Sequence, residues 1–270
     1  HVVWTDSIVE IGDMGLVSLP QPAVTDGYYE DIAVFAVPRY ADVSTPHVSG
    51  TIRRDDNGVF RSKEPGYIQY DFDEQQTVRS LCIMPSGNNV QSQRLLVVSA
   101  GHEASNDGMT FQDIRQLEPP RQGWQNTNES YTYSLPETTA RHFRFYWTPE
   151  GSEPGCEDLD AAKWSPVLKI KELTLLTEPR IDQYESKNGN VWRIAVNSAP
   201  TYIYSAFEPL RLKVEGEKAW FPDVLTGGDK GHILRFGHTI TGHKNVTAGG
   251  GKGLECDKFS VTAVEKQVRH

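Results

Sequence analysis

Two carboxylates near the carboxyl end of the chain have the residue types that acid-base chemistry requires. Glu255 and Asp257 directly follow a glycine-rich run, with glycines at positions 249–251 and 253. Because glycine has no side chain, such a run lets the backbone approach a ligand closely. If the segment is extended, both carboxylates share one face, where Asp257 would tune the charge of Glu255 or help to hold a metal. The alternative is an ordinary polar turn that caps a following helix.

Two histidines and one tryptophan are further candidates for ligand contacts. His238 and His243 lie five residues apart and could bind a metal or a sugar. A tetrahedral metal site needs three or four close ligands, and no third one lies near them in sequence, which disfavours a metal. Trp124 could stack on the apolar face of a sugar ring, or it could form a lid over a hydrophobic core.

Composition argues against two classes of function. The 270-residue chain has a formal net charge of -9, whereas a surface that binds nucleic acid needs clustered Lys and Arg. No apolar run approaches the roughly 20 residues that a membrane-spanning helix needs. The chain is therefore expected to bind neither nucleic acid nor membrane. Its three cysteines are too few and too scattered for a disulfide framework or a zinc site.

The elements that must position these residues are strands, because almost every periodic segment alternates apolar and polar residues. The segments are rich in β-branched and aromatic residues and are separated by turn formers. The clearest predicted strands are residues 67–72, 78–83, 94–99, 131–135, 142–147 and 167–176. Tyr67, Tyr70, Phe143 and Phe145 are predicted to pack in the core or at its rim. The pattern predicts a mostly β fold, an antiparallel β-sandwich or jelly roll with a second, smaller β segment.

Four segments are predicted along the chain. Residues 1–28 form a leading strand and a Pro/Gly-rich linker, 29–180 the β-sandwich, 181–258 the second β segment, and 259–270 the start of a helix. The boundary near 180 rests on a change in composition after Pro179. A helix that begins at Phe259 has room for only twelve residues, which suggests that this chain is a piece of a longer protein.

The order of the sandwich motifs resembles that of the discoidin or galactose-binding-like module. The motifs are Gly66-Tyr-Ile-Gln-Tyr-Asp-Phe-Asp-Glu74, Thr77-Val-Arg-Ser-Leu81, Asp107-Gly-Met-Thr-Phe111, Thr139-Ala-Arg-His-Phe-Arg-Phe145 and Ile170-Lys-Glu-Leu-Thr-Leu175. The resemblance implies a galactose-binding-like jelly roll in which loops at one end carry the ligand. It makes Asp55, Asp56 and Asn57, in the loop at 53–58, candidates for carbohydrate binding together with Trp124 and Asp257.

A second resemblance covers nearly the whole chain and is to glycoside hydrolase family 106, the α-L-rhamnosidases. It rests on Gly27-Tyr-Tyr-Glu-Asp-Ile-Ala-Val-Phe-Ala-Val-Pro38, Leu175-Leu-Thr-Glu-Pro-Arg-Ile181, Ile233-Leu-Arg-Phe-Gly-His-Thr239 and Gly250-Gly-Lys-Gly-Leu-Glu-Cys-Asp-Lys258. In that family β-rich insertions interrupt a catalytic (β/α)8-type barrel. The resemblance implies that most of the barrel is absent here and that the chain is its β-rich central portion.

This resemblance implies a glycoside hydrolase that is catalytically incomplete as this chain. Inversion needs two carboxylates roughly 6.5 to 9.5 Å apart, and no second one can be assigned beside Glu255. The expected role is to scaffold the barrel and to contact plant or microbial polysaccharide, with the rest of the enzyme as partner and calcium as a candidate cofactor. The implied location is secreted, periplasmic or on the surface of a bacterium. The alternatives are an autonomous carbohydrate-binding module and a cell-surface adhesion module.

Overall fold

The computed structural model describes residues 2–11, 15–24, 27–86, 97–104, 108–117, 129–149, 167–188, 210–221, 231–240 and 265. These residues form fourteen strands and one short helix. In chain order they are β1 (Val2–Ile11), β2 (Gly15–Ser18), β3 (Glu30–Pro38), β4 (His47–Gly50), β5 (Phe60–Ser62), β6 (Gly66–Pro85), β7 (Val97–Ala104), β8 (Gly108–Gln116), β9 (Tyr131–Trp147), β10 (Leu168–Leu176), α1 (Tyr184–Lys187), β11 (Leu210–Arg211), β12 (Val214–Glu215), β13 (Lys218–Phe221) and β14 (Gly231–Ile240). Among residues with defined positions, no helix has the length and apolar character needed to cross a membrane.

The chain divides into two compact units. The sandwich unit is the continuous segment Tyr40–Phe207, and the split unit combines His1–Arg39 with Glu208–His270. Every strand pair that the described residues form is antiparallel, so the prediction of a mostly β, antiparallel fold is confirmed.

Two long strands, β6 and β9, run through both layers of the sandwich unit. The first part of β6 pairs with β4, and the last part of β9 pairs with β7, which continues to β8. The second part of β6 pairs with β10, which continues to β5. The register between β6 and β9 shifts between Asp71 and Gln76 and again between Val78 and Ser80. Such irregularities bend strands, and here they turn one ribbon into two facing sheets.

The core of the sandwich lies between these layers because alternate side chains point inward. Tyr70 packs edge to face on Phe145, with ring centroids 5.2 Å apart, and Phe72 packs in the same way on Phe143 at 6.0 Å. The Tyr70 hydroxyl donates a hydrogen bond of 2.6 Å to the Leu173 carbonyl oxygen in β10. This bond links the two layers through the core. The burial of Tyr70, Phe143 and Phe145 confirms that they pack in the core, whereas Tyr67 is half-buried and contacts Arg144 on the opposite side of the sheet.

The segment around α1 lies along the edge of the first part of β9, where it takes up backbone hydrogen-bonding groups of that strand. The Asp182 carboxylate accepts hydrogen bonds from Arg115 at 2.5 Å and from the Ser134 backbone N–H at 3.0 Å. The Glu185 carboxylate accepts two more, from the Thr132 hydroxyl at 2.6 Å and from its backbone N–H at 3.0 Å. A buried ion pair therefore fixes this segment to the sandwich.

The split unit contains a four-stranded sheet, in the order β1-β14-β3-β11, and a three-stranded sheet, in the order β12-β13-β2. Its apolar cluster includes Val34, Ala36, Ala219, Phe221 and Ile233. The buried Arg235 of β14 forms a two-pronged pair with Asp31 of β3, at 2.9 and 2.8 Å, and a third bond of 2.8 Å with Glu217 between β12 and β13. One arginine thereby ties three chain segments together.

The units do not coincide with the predicted segments. β3 was expected at the start of the sandwich, but it pairs with β14 over Glu30–Pro38 and so belongs to the split unit. Residues 15–18, expected to be linker, form β2, whose partner β13 lies about two hundred residues further along the chain. The predicted strand at 94–99 lies partly outside the described residues, and so does the helix from Phe259, except for Glu265.

Candidate carbohydrate-binding face

A polar face forms on the outside of the sandwich, and the alternation of two strands creates it. Ile68 and Tyr70 of β6, like Phe143 and Phe145 of β9, point into the core. The residues between them must therefore point to the opposite side of the sheet. We call this side the outer face. It carries Tyr67, Gln69, Asp71, His142, Arg144 and Tyr146, with Ser49 of β4 and Phe111 of β8 at its sides. Gln69 and His142 are buried on this side, Asp71 and Arg144 are half-buried, and Tyr146 is exposed.

Strand register turns these separate polar residues into a hydrogen-bonded chain. Asp71 lies opposite His142, and Gln69 lies opposite Arg144. His142 Nδ1 and Gln69 Nε2 each lie 2.7 Å from Asp71 Oδ1. The side-chain amide oxygen of Gln69, Oε1, accepts hydrogen bonds from Arg144 Nη2 at 2.7 Å and from Arg144 Nε at 3.1 Å. Gln69 thus connects the carboxylate to the guanidinium without bringing the two charges into contact.

The pKa of Asp71 shows what this face can do chemically. Burial by itself would raise the pKa of Asp71, but hydrogen bonds from His142, Gln69 and Ser49 outweigh burial and lower it. Since the ionised carboxylate can only accept hydrogen bonds, His142 Nδ1 carries the proton that it donates. A glycosidase acid needs a raised pKa so that it stays protonated. The arrangement suits ligand binding rather than acid catalysis.

Aromatic rings frame the polar chain. The Arg144 Cζ atom lies 4.1 Å from the centroid of the Tyr67 ring and 3.8 Å from that of Phe111. Tyr146 lies opposite Tyr67 in the register and is 42% exposed. An exposed aromatic ring beside fixed hydrogen-bonding groups is the combination that binds sugars, because a pyranose has both an apolar face and polar edges.

The loop at 53–58 was predicted to bind carbohydrate, and the structure shows how it is held. The Asp55 carboxylate accepts hydrogen bonds of 3.0 Å from the N–H groups of Asn57 and Val59, and one of 3.1 Å from Arg61 Nε. The hydrogen bond from the Val59 backbone lowers the pKa of Asp55 against the opposing effect of burial, and the bonds from the Arg61 side chain and the Asn57 backbone lower it further. Asp55 therefore organises the turn, while Asp56 and Asn57 are exposed at its tip.

This loop does not offer a cation a ready site, because three donors already occupy the Asp55 oxygens and one of them is a guanidinium. Among the described residues, no group of three or more His, Cys, Asp or Glu side chains is placed to hold a metal ion. We therefore do not assign a calcium ion, the candidate cofactor, to this loop.

The other predicted site residues are not brought together within the described part of the chain. Trp124, His243, Glu255 and Asp257 lie outside the described residues. His238 lies in β14, half-buried, at a position paired with Trp4 of β1 and Glu30 of β3.

The outer face itself escaped prediction. Its only signal in the sequence is that two neighbouring strands, each apolar at alternate positions, carry Gln69 and Asp71 in one and His142 and Arg144 in the other. A polar alternation of this kind is equally typical of the solvated side of a strand.

The fold and the site together define an antiparallel β-sandwich with a polar, aromatic-flanked sheet face, accompanied by a smaller two-sheet β unit. Over its whole length (100%), the chain is similar to a solved structure of a rhamnosidase from Novosphingobium sp. PP1Y, with 20% identity and a TM-score of 0.50. It spans 26% of that protein, about a quarter of its length. This likeness concerns the fold.

Two carbohydrate-binding modules of family 32 also overlap with about half of the chain. The module of AlyQ, solved with 4,5-unsaturated mannuronic acid, has 15% identity and a TM-score of 0.34 over 52% of this chain and 100% of its own. The module of Streptococcus pneumoniae EndoD has 12% identity and a TM-score of 0.33, over 50% of this chain and 98% of its own. No family model matches the chain, and no curated protein matches it.

Proposed function

We propose that this chain is the β-rich, non-catalytic portion of a glycoside hydrolase of the α-L-rhamnosidase type of family 106. Its role is to scaffold the catalytic barrel and to bind carbohydrate through the outer face. The motif resemblance supports the assignment to the enzyme class, and the likeness in fold extends over the whole chain. Such an enzyme would act on polysaccharide outside the bacterial cytoplasm.

The observation that carries the carbohydrate part is the pairing of Gln69 with Arg144 and of Asp71 with His142 on the sheet face that also carries the exposed Tyr146. Fixed donors and acceptors beside an aromatic ring satisfy the hydroxyl groups of a sugar and cover its apolar face. The side chains hold each other in place, so little rotamer entropy remains to be lost when a ligand binds.

The binding part is tested by calorimetry of the chain against a panel of plant and microbial oligosaccharides. Tyr146→Ala should weaken binding at least tenfold, because it removes the exposed stacking surface. Trp220→Ala is the matched control, since Trp220 is 57% exposed but lies in the split unit. If Trp220→Ala weakens binding while Tyr146→Ala does not, the outer face is not the site. A loss on Trp124→Ala alone would favour the loop end of the sandwich instead.

The enzymatic part is tested with aryl α-L-rhamnosides. The chain alone should show no turnover, because inversion needs a second carboxylate that would come from the absent barrel. Robust hydrolysis by the isolated chain would contradict the claim that it is catalytically incomplete.

A further inference from the structure

The guanidinium of Arg144 is held in a fixed plane. Its Cζ atom lies 4.1 Å from the Tyr67 ring centroid and 3.8 Å from that of Phe111, and both distances lie within the range of cation-π contacts. The Nε and Nη2 atoms along one edge of the guanidinium both donate hydrogen bonds to the side-chain oxygen of Gln69. Ring contacts and a two-pronged hydrogen bond together fix both the position and the orientation of the cation.

Arg144 has no carboxylate partner within the described residues, a property that it shares with Arg54 and Arg211, but its acceptor is a side-chain amide rather than a backbone carbonyl. Six arginines form ion pairs with carboxylates within the described residues, namely Arg39, Arg61, Arg79, Arg115, Arg180 and Arg235. Among the same residues, no carboxylate lies within ion-pair distance of Arg144. Its fixed acceptor is a neutral amide, and Asp71 lies on the far side of that amide. The positive charge at this position is therefore not neutralised by a direct ion pair.

The free edge of the guanidinium determines what it can bind. A guanidinium has five N–H donors, and Gln69 takes one from Nε and one from Nη2. The donors that remain, two on Nη1 and one on Nη2, include the pair at the end of the fork that matches a carboxylate in bidentate fashion. Because aromatic rings contact the guanidinium, the favoured approach is in its plane, from this end.

The residues around Arg144 determine which group can be attached to the carboxylate of the ligand. Tyr146 lies two residues from Arg144 on the same face of β9 and is 42% exposed. A ligand with a carboxylate directly attached to a pyranose ring can place the carboxylate on Arg144 and the ring against Tyr146. A neutral sugar would leave the cation without a counter-charge in a half-buried position, where screening by water is reduced.

We propose that Arg144 binds the carboxylate of a uronic acid residue and that the outer face thereby prefers acidic polysaccharide. This inference rests on the proposed function, because it names the ligand class of the same face. It also adds a distinction that the proposed function does not make, between charged and neutral sugars of the same shape.

The test compares oligogalacturonides with their methyl esters, which keep the ring and remove the charge. Calorimetry with the full chain should show at least tenfold tighter binding of the free acids, and the preference should weaken as salt is added. Arg144→Met should abolish this preference. Arg144→Lys keeps the charge without the fork and should retain only part of it. Arg180→Met is the control, since it removes an exposed, ion-paired arginine of the same unit.

The outcomes separate the two proposals. If acids and esters bind equally tightly and Arg144→Met changes neither, the inference about uronic acid is wrong while carbohydrate binding stands. If none of the oligosaccharides, acidic or neutral, binds, the proposed function fails as well. A preference for any anion, shown by equal competition from inorganic sulfate and from galacturonate, would overturn the claim that the sugar carboxylate is recognised. The comparison of acid and ester on the unchanged protein remains decisive even if Arg144→Met does not fold.

Discussion

Within the described residues, each unit contains one buried arginine that binds carboxylates, yet the two arginines have different surroundings. In the sandwich unit, the side chains of Arg115 and Asp182 are 6% and 0% exposed. In the split unit, Arg235 is 5% exposed, but its partners Asp31 and Glu217 are 41% and 68% exposed. One pair is enclosed on both sides, whereas the other joins a buried cation to carboxylates in contact with water.

The difference determines what each arginine contributes to stability. A charge that stays buried after its partner is removed has no water to replace the lost interaction, so breaking such a pair is costly. A carboxylate at the surface is rehydrated as soon as its partner is gone, so its loss costs little. The cost of removing either arginine is therefore decided by the exposure of the carboxylates that remain.

The largest effect is expected for Arg115→Met. It leaves the Asp182 carboxylate buried without its guanidinium, and the free energy of unfolding should fall by about 3 to 5 kcal/mol. Hydrogen exchange of the β9 backbone amides at increasing urea concentration measures this loss in the sandwich unit. Adding Asp182→Asn, which removes the charge but keeps an acceptor for the Ser134 N–H, should restore more than half of it. A loss below about 1 kcal/mol would show that enclosure is not the deciding factor.

A smaller effect is expected for Arg235→Met. Asp31 and Glu217 remain in contact with water and keep their hydrogen bonds from Tyr29 and Gln21, so the loss should be only about 1 kcal/mol. Hydrogen exchange of the β14 backbone amides reports on this unit separately from the sandwich. Arg39→Met is the matched control, since its pair with Glu10 is exposed on both sides, and it should change exchange hardly at all. If Arg235→Met lowered the free energy of unfolding as much as Arg115→Met does, the exposure of the remaining carboxylates would not determine the cost.

A weaker effect is expected from acid, and it should appear in both units. Hydrogen bonds lower the pKa of Asp71 against the effect of burial, and Arg235 lowers the pKa values of Asp31 and Glu217. A carboxyl group whose pKa is lower in the folded state stabilises the fold above its unfolded pKa, about 3.9 for Asp and 4.3 for Glu. That contribution is lost as the pH falls through the folded pKa.

Unfolding followed from pH 6 downwards should therefore show stability falling below about pH 4. Asp71→Asn should make the curve of the sandwich unit flatter and leave the split unit unchanged. An identical acid response in Asp71→Asn and the unchanged protein would show that Asp71 does not carry this dependence.

The smallest effect is expected at the turn of the loop at 53–58. Asp55→Ala removes the acceptor for the N–H groups of Asn57 and Val59 and should lower the Tm slightly. Asp56→Ala, at an exposed neighbouring position, should leave the Tm unchanged. If either variant weakens sugar binding without lowering the Tm, the loop contacts the ligand, as the sequence predicted.

The strands could be predicted from the sequence because alternation is a local property. Leu81 and Ile83, or Phe143 and Phe145, reveal their inward side without any knowledge of the partner strand. The partner itself is a long-range property. Apolar and polar residues alternate in β3 as clearly as in the strands of the sandwich unit. Only the pairing of β3 with β14 assigns it to the split unit. β2 has four residues and contains Gly15, so it has too little pattern to be recognised before its partner β13 is known.

The candidate site depended on the same missing information. Gln69 and Arg144 are separated by 75 residues, and Asp71 and His142 by 71, so neither pair has a motif that joins it. Each residue is ordinary for the outer side of a strand, and the register of β6 and β9 alone makes the cluster. A glycine cluster beside an acid, by contrast, is visible in sequence, which is why Glu255 and Asp257 attracted the prediction.

The continuity of β6 and β9 through both layers has a mechanical consequence. A sandwich made of two separate sheets can shear along the plane between them, since only side chains hold that plane. Here β6 and β9 pass from one layer to the other without interruption, at the irregular corner near residues 72–75 of β6. Sliding one layer over the other would therefore have to stretch the backbone of both strands. A polymer chain that pulled on the outer face would therefore load both sheets at once, and the corner would transmit that force into the opposite layer.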